Sequence, residues 1–388
     1  MENTDTIVDY DYKTLRSQLH LTYSNKINNR FRLKTGLSLT AITYWLRYMQ
    51  DNGAGNYNFL DNVNGNSILL QGYAVGSYRP VDKLTLNFGV NALFMTMNNT
   101  YSIEPRVSVQ YKPFKKTTIS AAYGLHGKAL GIGTYLLQIT DTLGNITQPN
   151  KGLKIAKAHH AVLAYQQVIG SGFRLNLEGY YQYSFDNPTS PEANSGYWYF
   201  NERDNYGNRA MVSEGQGQNY GVDMTVEKAF SSSFFILATG SLFWSQYKSL
   251  DDIEWRRSRF DRGWAGSVMG GYEFSFKKGA ALQIGVKSFF SGGLRFTPAN
   301  EAASIAAGVF VPDTDRYFEE TTPTYFRLDA RIAFRKDAKK FAYTIAIDVQ
   351  NTTNQQNVRE MLYDRKQYKM IPRYQSGILP VLSFQIDF

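Results

Sequence analysis

The chain has 388 residues, a formal net charge of +9, four histidines and no cysteine. Disulfides and thiolate metal sites are therefore excluded. Tyr and Phe number 28 and 25, yet mean hydropathy is only −0.38. No apolar run reaches the roughly 18 residues that a membrane-spanning helix needs, whereas a spanning β-barrel hides its apolar residues by alternation.

The opening, Met1 to Asp5, has neither a basic region nor an apolar run, so it does not read as a signal peptide. Strands are expected where apolar and polar residues alternate over about ten positions between turn residues. The first lies near Tyr12 to Ser24. Phe31 to Leu39 sets Phe31, Leu33, Leu37 and Leu39 against Arg32, Lys34, Gly36 and Ser38. Leu84 to Phe94 sets Leu84, Leu86, Phe88, Val90, Ala92 and Phe94 against Thr85, Asn87, Gly89, Asn91 and Leu93. Phe173 to Phe185 sets Phe173, Leu175, Leu177, Tyr181, Tyr183 and Phe185 against Arg174, Asn176, Glu178, Gln182 and Ser184. Phe326 to Phe334 and Tyr343 to Val349 repeat the pattern, with Arg327, Asp329 and Arg331 on one polar face and Thr344, Ala346 and Asp348 on the other. These runs exceed the usual five or six residues of a soluble strand and suit a tilted crossing of roughly 30 Å.

Connections alternate between short and long. Short ones are Asn25–Asn29, Arg79–Lys83, Lys112–Lys116, Gly170–Gly172, Ser231–Ser233, Lys277–Gly279 and Lys336–Lys340. Long ones cover about Gln50–Asn66, Lys128–Asn150, Asn187–Arg209, Leu250–Arg262, Gly292–Thr322 and Thr353–Gln375, and one near Asn98–Thr100 is short. Tight periplasmic turns and long outer loops produce this alternation. Lys115, Lys116, Lys277, Lys278, Lys339 and Lys340 place much of the positive charge in the short turns.

The last strand carries Leu382, Phe384, Ile386 and Phe388 on one face and Ser383, Gln385 and Asp387 on the other. A terminal aromatic on such a strand resembles the assembly signal of bacterial outer-membrane barrels. The expected fold is all-β: a transmembrane antiparallel up-and-down barrel with about fifteen strands. A closed single-chain barrel needs an even number, and an open edge in lipid is not tolerated. The expectation is thus that residues 1–388 are a segment of a larger barrel.

From Tyr325-Phe-Arg-Leu-Asp-Ala-Arg-Ile-Ala-Phe through Asp348-Val-Gln-Asn-Thr-Thr-Asn to Gly377-Ile-Leu-Pro-Val-Leu-Ser-Phe, the chain resembles the C-terminal barrel region of TonB-dependent outer-membrane receptors, particularly of the Bacteroidetes type. The match is strongest over Thr322 to Phe388; the remainder agrees in pattern only. Resemblance to this family implies a 22-stranded barrel around an N-terminal plug, and nothing here matches the plug or the TonB-contacting segment. It implies nutrient uptake, not catalysis, with a metal chelate, vitamin or glycan bound by outer loops and plug. No cofactor is implied. Implied partners are membrane lipid and lipopolysaccharide, the barrel assembly machinery, and TonB acting through the plug. The C-terminus would lie in the periplasm. Arg174, Glu178, Arg327, Asp329, Arg331 and Asp348 would line the lumen against the plug, or else be wetted or paired across strands.

Other chemistry finds little support. His20, His126, His159 and His160 have no second ligand at metal spacing, and His159 and His160 point to opposite faces of a strand. Gly215-Gln-Gly-Gln-Asn-Tyr-Gly lacks the strand–helix context of a nucleotide loop. No Gly-x-Ser-x-Gly elbow is present. The basic residues form no single patch, which argues against nucleic acid. Aromatics at strand ends read as a membrane-interface girdle. Tyr197, Trp198, Tyr199, Trp255, Arg256 and Arg257, in or beside outer loops, are candidate ligand contacts. Two rival functions are a passive porin of about 16 strands, which needs one more strand and an inward-folded loop, and a surface carbohydrate-binding β-protein.

Overall fold

The computed structural model describes residues 7–51, 56–140, 143–170, 172–193, 195–202, 209–231 and 233–388. The expected leaderless start at 1–5 and the centres of two short turns, at 171 and 232, lie outside the described residues.

The alternating runs form one antiparallel sheet. Its path is β1 (Ile7–Lys26), β2 (Phe31–Asp51), β3 (Asn56–Val81), β4 (Leu84–Met95), β5 (Thr100–Tyr111), β6 (Thr117–Lys128), β7 (Ala156–Ile169), β8 (Phe173–Thr189), β9 (Val212–Ser231), β10 (Phe234–Lys248), β11 (Trp264–Phe276), β12 (Ala280–Ser291), β13 (Tyr325–Asp337), β14 (Ala342–Gln350) and β15 (Leu379–Asp387). Each strand pairs with its sequence neighbour, and Arg256–Arg257 adds a short sixteenth strand beside β10. Among the described residues, β1 pairs with β2 alone and β15 with β14 alone, so the sheet is open at both edges.

Register carries the alternation across the sheet. In an antiparallel pair, directly opposed residues share a face. Arg174 faces Glu227, Asn91 faces Glu104, Arg331 faces Asp348 and Ala346 faces Ser383, so one face is polar from one edge to the other. The opposite face is apolar and bare: Leu37, Phe88, Leu163, Val222, Ile284, Ile347 and Leu382 are all exposed. A continuous exposed apolar surface of this extent is what a soluble monomer avoids.

One expected loop is corrected. The stretch Gln50–Asn66 read as an outer connection, but the β2–β3 ladder continues to Asp51 opposite Asn56. Leu60 falls among the asparagines of one face, and Asp61 and Gly65 interrupt the apolar positions of the other, which breaks the alternation that sequence reasoning relies on. Backbone pairing needs no apolar face, so the hairpin runs on, with register shifts beside Tyr48.

The two ends of the strands differ. At one end the turns are short and laced by lysines: Lys83 Nζ donates to Pro113 O at 3.2 Å, Lys116 Nζ to Gly170 O at 3.4 Å and Lys336 Nζ to Lys278 O. Positive φ at Lys278 and Gly279 makes one of these turns tight. At the other end the loops carry their own structure, including helix α1 (Ile132–Tyr135), helix α2 (Glu301–Ala307) and a hairpin pairing Val358–Asp364 with Lys369–Tyr374. Asn300 caps α2 by accepting from Ala303 N at 3.1 Å, and Gly308 closes it at φ 67°.

The packed core lies at this loop end, over the polar face. One cluster joins Met95, Leu130, Tyr135, Leu153, Tyr197, Tyr199 and Met211. A second sets Ile132 and Leu136 against Tyr44, Leu46 and Tyr48 of β2. Met97 packs against both. The loop after β6 is therefore folded inward onto the sheet.

Candidate functional site

All six charged residues expected on an inner wall share the polar face by register. Five of them are in ion pairs. Arg174 Nη1 lies 2.7 Å from Glu227 Oε1 on the next strand. Arg327 grips Asp329 through two bonds of 2.7 and 2.9 Å, and Arg331 pairs with Asp348 across β13 and β14. Glu178 stands opposite another carboxylate, Asp223. The Arg174–Glu227 pair is open to water on both sides, so it contributes only about 0–1 kcal/mol of stability.

Asp329 is also a structural node. Its Oδ1 accepts from Asn351 N at 2.9 Å. Asn351 and Asn354 take left-handed backbone conformations, φ 51° and 53°, which Asn tolerates better than most residues. Asn351 Nδ2 donates to Gln355 O at 3.0 Å, and Asn354 Oδ1 accepts from Ile378 N at 3.2 Å. Asn357 presents its amide to the backbone of Phe326 as a strand would, at 3.0 and 2.7 Å. The Asp348-to-Asn354 motif thus builds the turn that links the last three strands.

A second polar cluster was not visible in the sequence. Glu104 is fully buried on β5; its Oε2 accepts from Asn91 Nδ2 at 2.9 Å and Arg106 Nη2 at 2.8 Å, while Oε1 has no partner among the described residues. Close by on the same face, His126 and His160 bring their rings within 4.5 Å. Only the cross-strand pairing of β6 with β7 makes them neighbours. His159 points the other way and meets Tyr123 Oη at 2.8 Å. Among the described residues there is no group of three or more His, Asp or Glu able to hold a metal ion.

The loop-end aromatics are positioned by glycines. Trp198 stacks on Tyr247 at 5.3 Å and lies over Gly215 and Gly217 of β9, where a Cβ would come within 3.1 and 3.0 Å of its ring. The glycine-rich stretch from Gly215 is therefore a seat for an indole. The Tyr197 ring faces the Arg209 guanidinium at 4.1 Å, and the Tyr199 hydroxyl meets Thr134 Oγ1 at 2.9 Å. Burial pushes the Tyr135 phenol up to about 12 and raises those of Tyr197 and Tyr199. Asn150 stitches the loops together, donating to Arg209 O at 2.9 Å and accepting from Met211 N at 2.8 Å. Tyr197, Trp198 and Tyr199 are 7%, 8% and 3% exposed, so they serve this packing in the conformation seen here.

Trp255, Arg256 and Arg257 lie on the neighbouring loop. Lys248 Nζ sits 5.2 Å from the Trp255 ring centre. Arg256 binds both oxygens of Asp252 at 3.1 Å, and Arg257 meets the buried Asp261 at 2.7 Å. Burial works to raise the Asp252 carboxyl, but hydrogen bonds from Arg256 and Ser249 outweigh it and hold the group below the usual carboxylate range. Of the candidate contacts, Arg257 is the most open to solvent.

No family model matches the sequence, and no curated protein matches it. Solved structures do. The ferric yersiniabactin uptake receptor FyuA from Yersinia pestis is similar over 100% of this chain and 56% of its own, at 12% identity and a TM-score of 0.71. The ferric-catecholate import receptor Fiu from K12 E. coli is similar over 98% and 55%, at 12% identity and a TM-score of 0.66. The outer membrane transporter YddB from Escherichia coli follows at 97% and 54%, with 12% identity and a TM-score of 0.61. The chain spans about half the length of each of these structures. Its meander of long antiparallel strands, apolar on one face and polar on the other, has the fold of part of an outer-membrane receptor.

Proposed function

We propose that the chain forms barrel strands of a TonB-dependent outer-membrane receptor that imports a scarce nutrient. The observation that carries this reading is the continuous antiparallel sheet with an exposed apolar face, a charged face and long loops at one end only. The apolar face would meet lipid, and the polar face would line the lumen. The open edges would be met by further strands, because unpaired backbone is costly in hydrocarbon. The loop end would face outward and contribute ligand contacts, with Trp255, Arg256 and Arg257 the more accessible set. The ligand is a chelate, vitamin or glycan.

The test is nutrient-limited growth. Deleting the gene is expected to abolish growth on one such nutrient, and deleting TonB is expected to have the same effect. Uptake that persists without TonB would sink the reading. It would favour the passive channel, for which the inward-folded loop carrying α1 is the supporting observation. Deleting Phe388, which is fully exposed, is expected to lower the amount in outer-membrane fractions.

A further inference from the structure

We infer that the short-turn end of the sheet docks on an anionic glycerophospholipid surface; this rests on the membrane reading above. Five of the seven short turns pair exposed basic residues with an exposed large apolar one. Phe114 stands between Lys112 and Lys115, Phe276 precedes Lys277 and Lys278, and Phe341 follows Lys339 and Lys340. Ile27 and Val81 repeat the arrangement at the first two turns, beside Lys26 and Lys83. The acidic residues among these turns are Asp82 and Asp337, so the rim is strongly basic within a chain of net +9.

The loop end is built differently. Three of its arginines are matched to carboxylates: Arg256 to Asp252, Arg257 to Asp261, Arg316 to Glu320. Among the described residues, Lys112, Lys115, Lys277, Lys278, Lys339 and Lys340 have no carboxylate partner. A lysine is a compact charge on a flexible stem, able to follow a mobile headgroup. Phe276 is the last outward residue of β11, so the apolar face ends at the lysines. That order, hydrocarbon then cation, matches acyl chain then phosphodiester. The charge is also spread over five of the seven short turns and is absent from those at 170–172 and 231–233. A plane of headgroups fits such an arc better than a compact acidic protein does.

Native mass spectrometry of the full chain in detergent micelles tests this, with phosphatidylglycerol and phosphatidylcholine offered at equal concentration. The chain is expected to retain phosphatidylglycerol preferentially, with a preference that weakens as salt rises. Lys277→Gln/Lys278→Gln, in an exposed turn, is expected to reduce the preference by about fivefold or more. Arg365→Gln/Lys366→Gln, in the loop-end hairpin, removes the same charge and is expected to leave it unchanged. Equal retention of the two lipids by the parent chain would overturn the proposal and return the rim to an acidic protein partner. Equal loss in both variants, or none in the lysine variant, would also overturn it. Growth without TonB would sink the transport reading and leave this lipid readout intact.

Discussion

The two ends of the sheet solve opposite problems with different cations. At the loop end, two carboxylates are drawn inside and neutralised by arginine. Asp261 is fully buried between Arg257 and Arg295, and Asp252 is held by Arg256 and Ser249. At the turn end, the lysines of the turns themselves stay in solvent and donate at most to a neighbouring carbonyl, whereas Lys228 within β9 is buried and donates to Ser231 and to Phe234 O. Arginine presents a planar fork that matches a carboxylate, while lysine is a point charge. The arginine fork suits the buried carboxylates of the loop end, and an exposed rim needs no such geometry.

That contrast orders the expected effects of substitution. The largest belongs to the buried loop packing. Trp198→Ala is expected to cost about 3–5 kcal/mol. Gly217→Val, which drives a side chain into the Trp198 ring and Ser184 Oγ, is expected to release the same loop. Both should appear as faster proteolytic cleavage between residues 190 and 211. Next comes Asp261→Ala, expected to cost about 3 kcal/mol because Arg295 loses its buried counter-charge, measured by denaturant titration.

The third effect is a pH dependence. Asp252 is depressed in the folded state, so its contribution is fully present above the ordinary carboxylate value of about 4. It is lost as pH falls through the lower folded value. Cleavage of the 249–262 loop should rise over that interval in the parent and stay flat in Asp252→Asn. The smallest effect belongs to the rim. Lys339→Gln/Lys340→Gln should change unfolding stability by no more than about 0.5 kcal/mol, since neither side chain has an ion-pair partner among the described residues. A cost at the rim as large as that at Asp261 would erase the distinction between the ends.

Much of the sheet was legible in the sequence because its signal is local. A strand with one apolar face repeats every two residues, so Phe173 to Phe185 announced β8 without knowledge of its neighbours. Where alternation failed, as at Asn56 to Asn66, so did the reading, although the backbone pairs there all the same. The site was legible only in part. Arg331 and Asp348 could be put on inward faces, but their pairing depends on register between strands. His126 and His160 are 34 positions apart and meet for the same reason. The glycines at 215 and 217 were set aside as a nucleotide loop for want of strand–helix context, but their role stayed hidden because sequence shows an absent side chain, not the Trp198 ring that fills the space.

The Asn354 contact with Ile378 has a consequence for how the last strand finds its place. Asn354 Oδ1 holds Ile378 N, and a Cβ at the adjacent Gly377 would sit 2.5 Å from that same oxygen. The contact is thus a zero mark on a ruler, set one residue before β15 begins. From it, Leu382, Phe384 and Ile386 fall on the apolar side and Ser383 and Gln385 on the polar side. A slip of one position would invert every one of them. A single side-chain amide in the preceding loop therefore makes one alignment of the closing hairpin cheaper to reach than its neighbours, before the terminal aromatic is committed to either face.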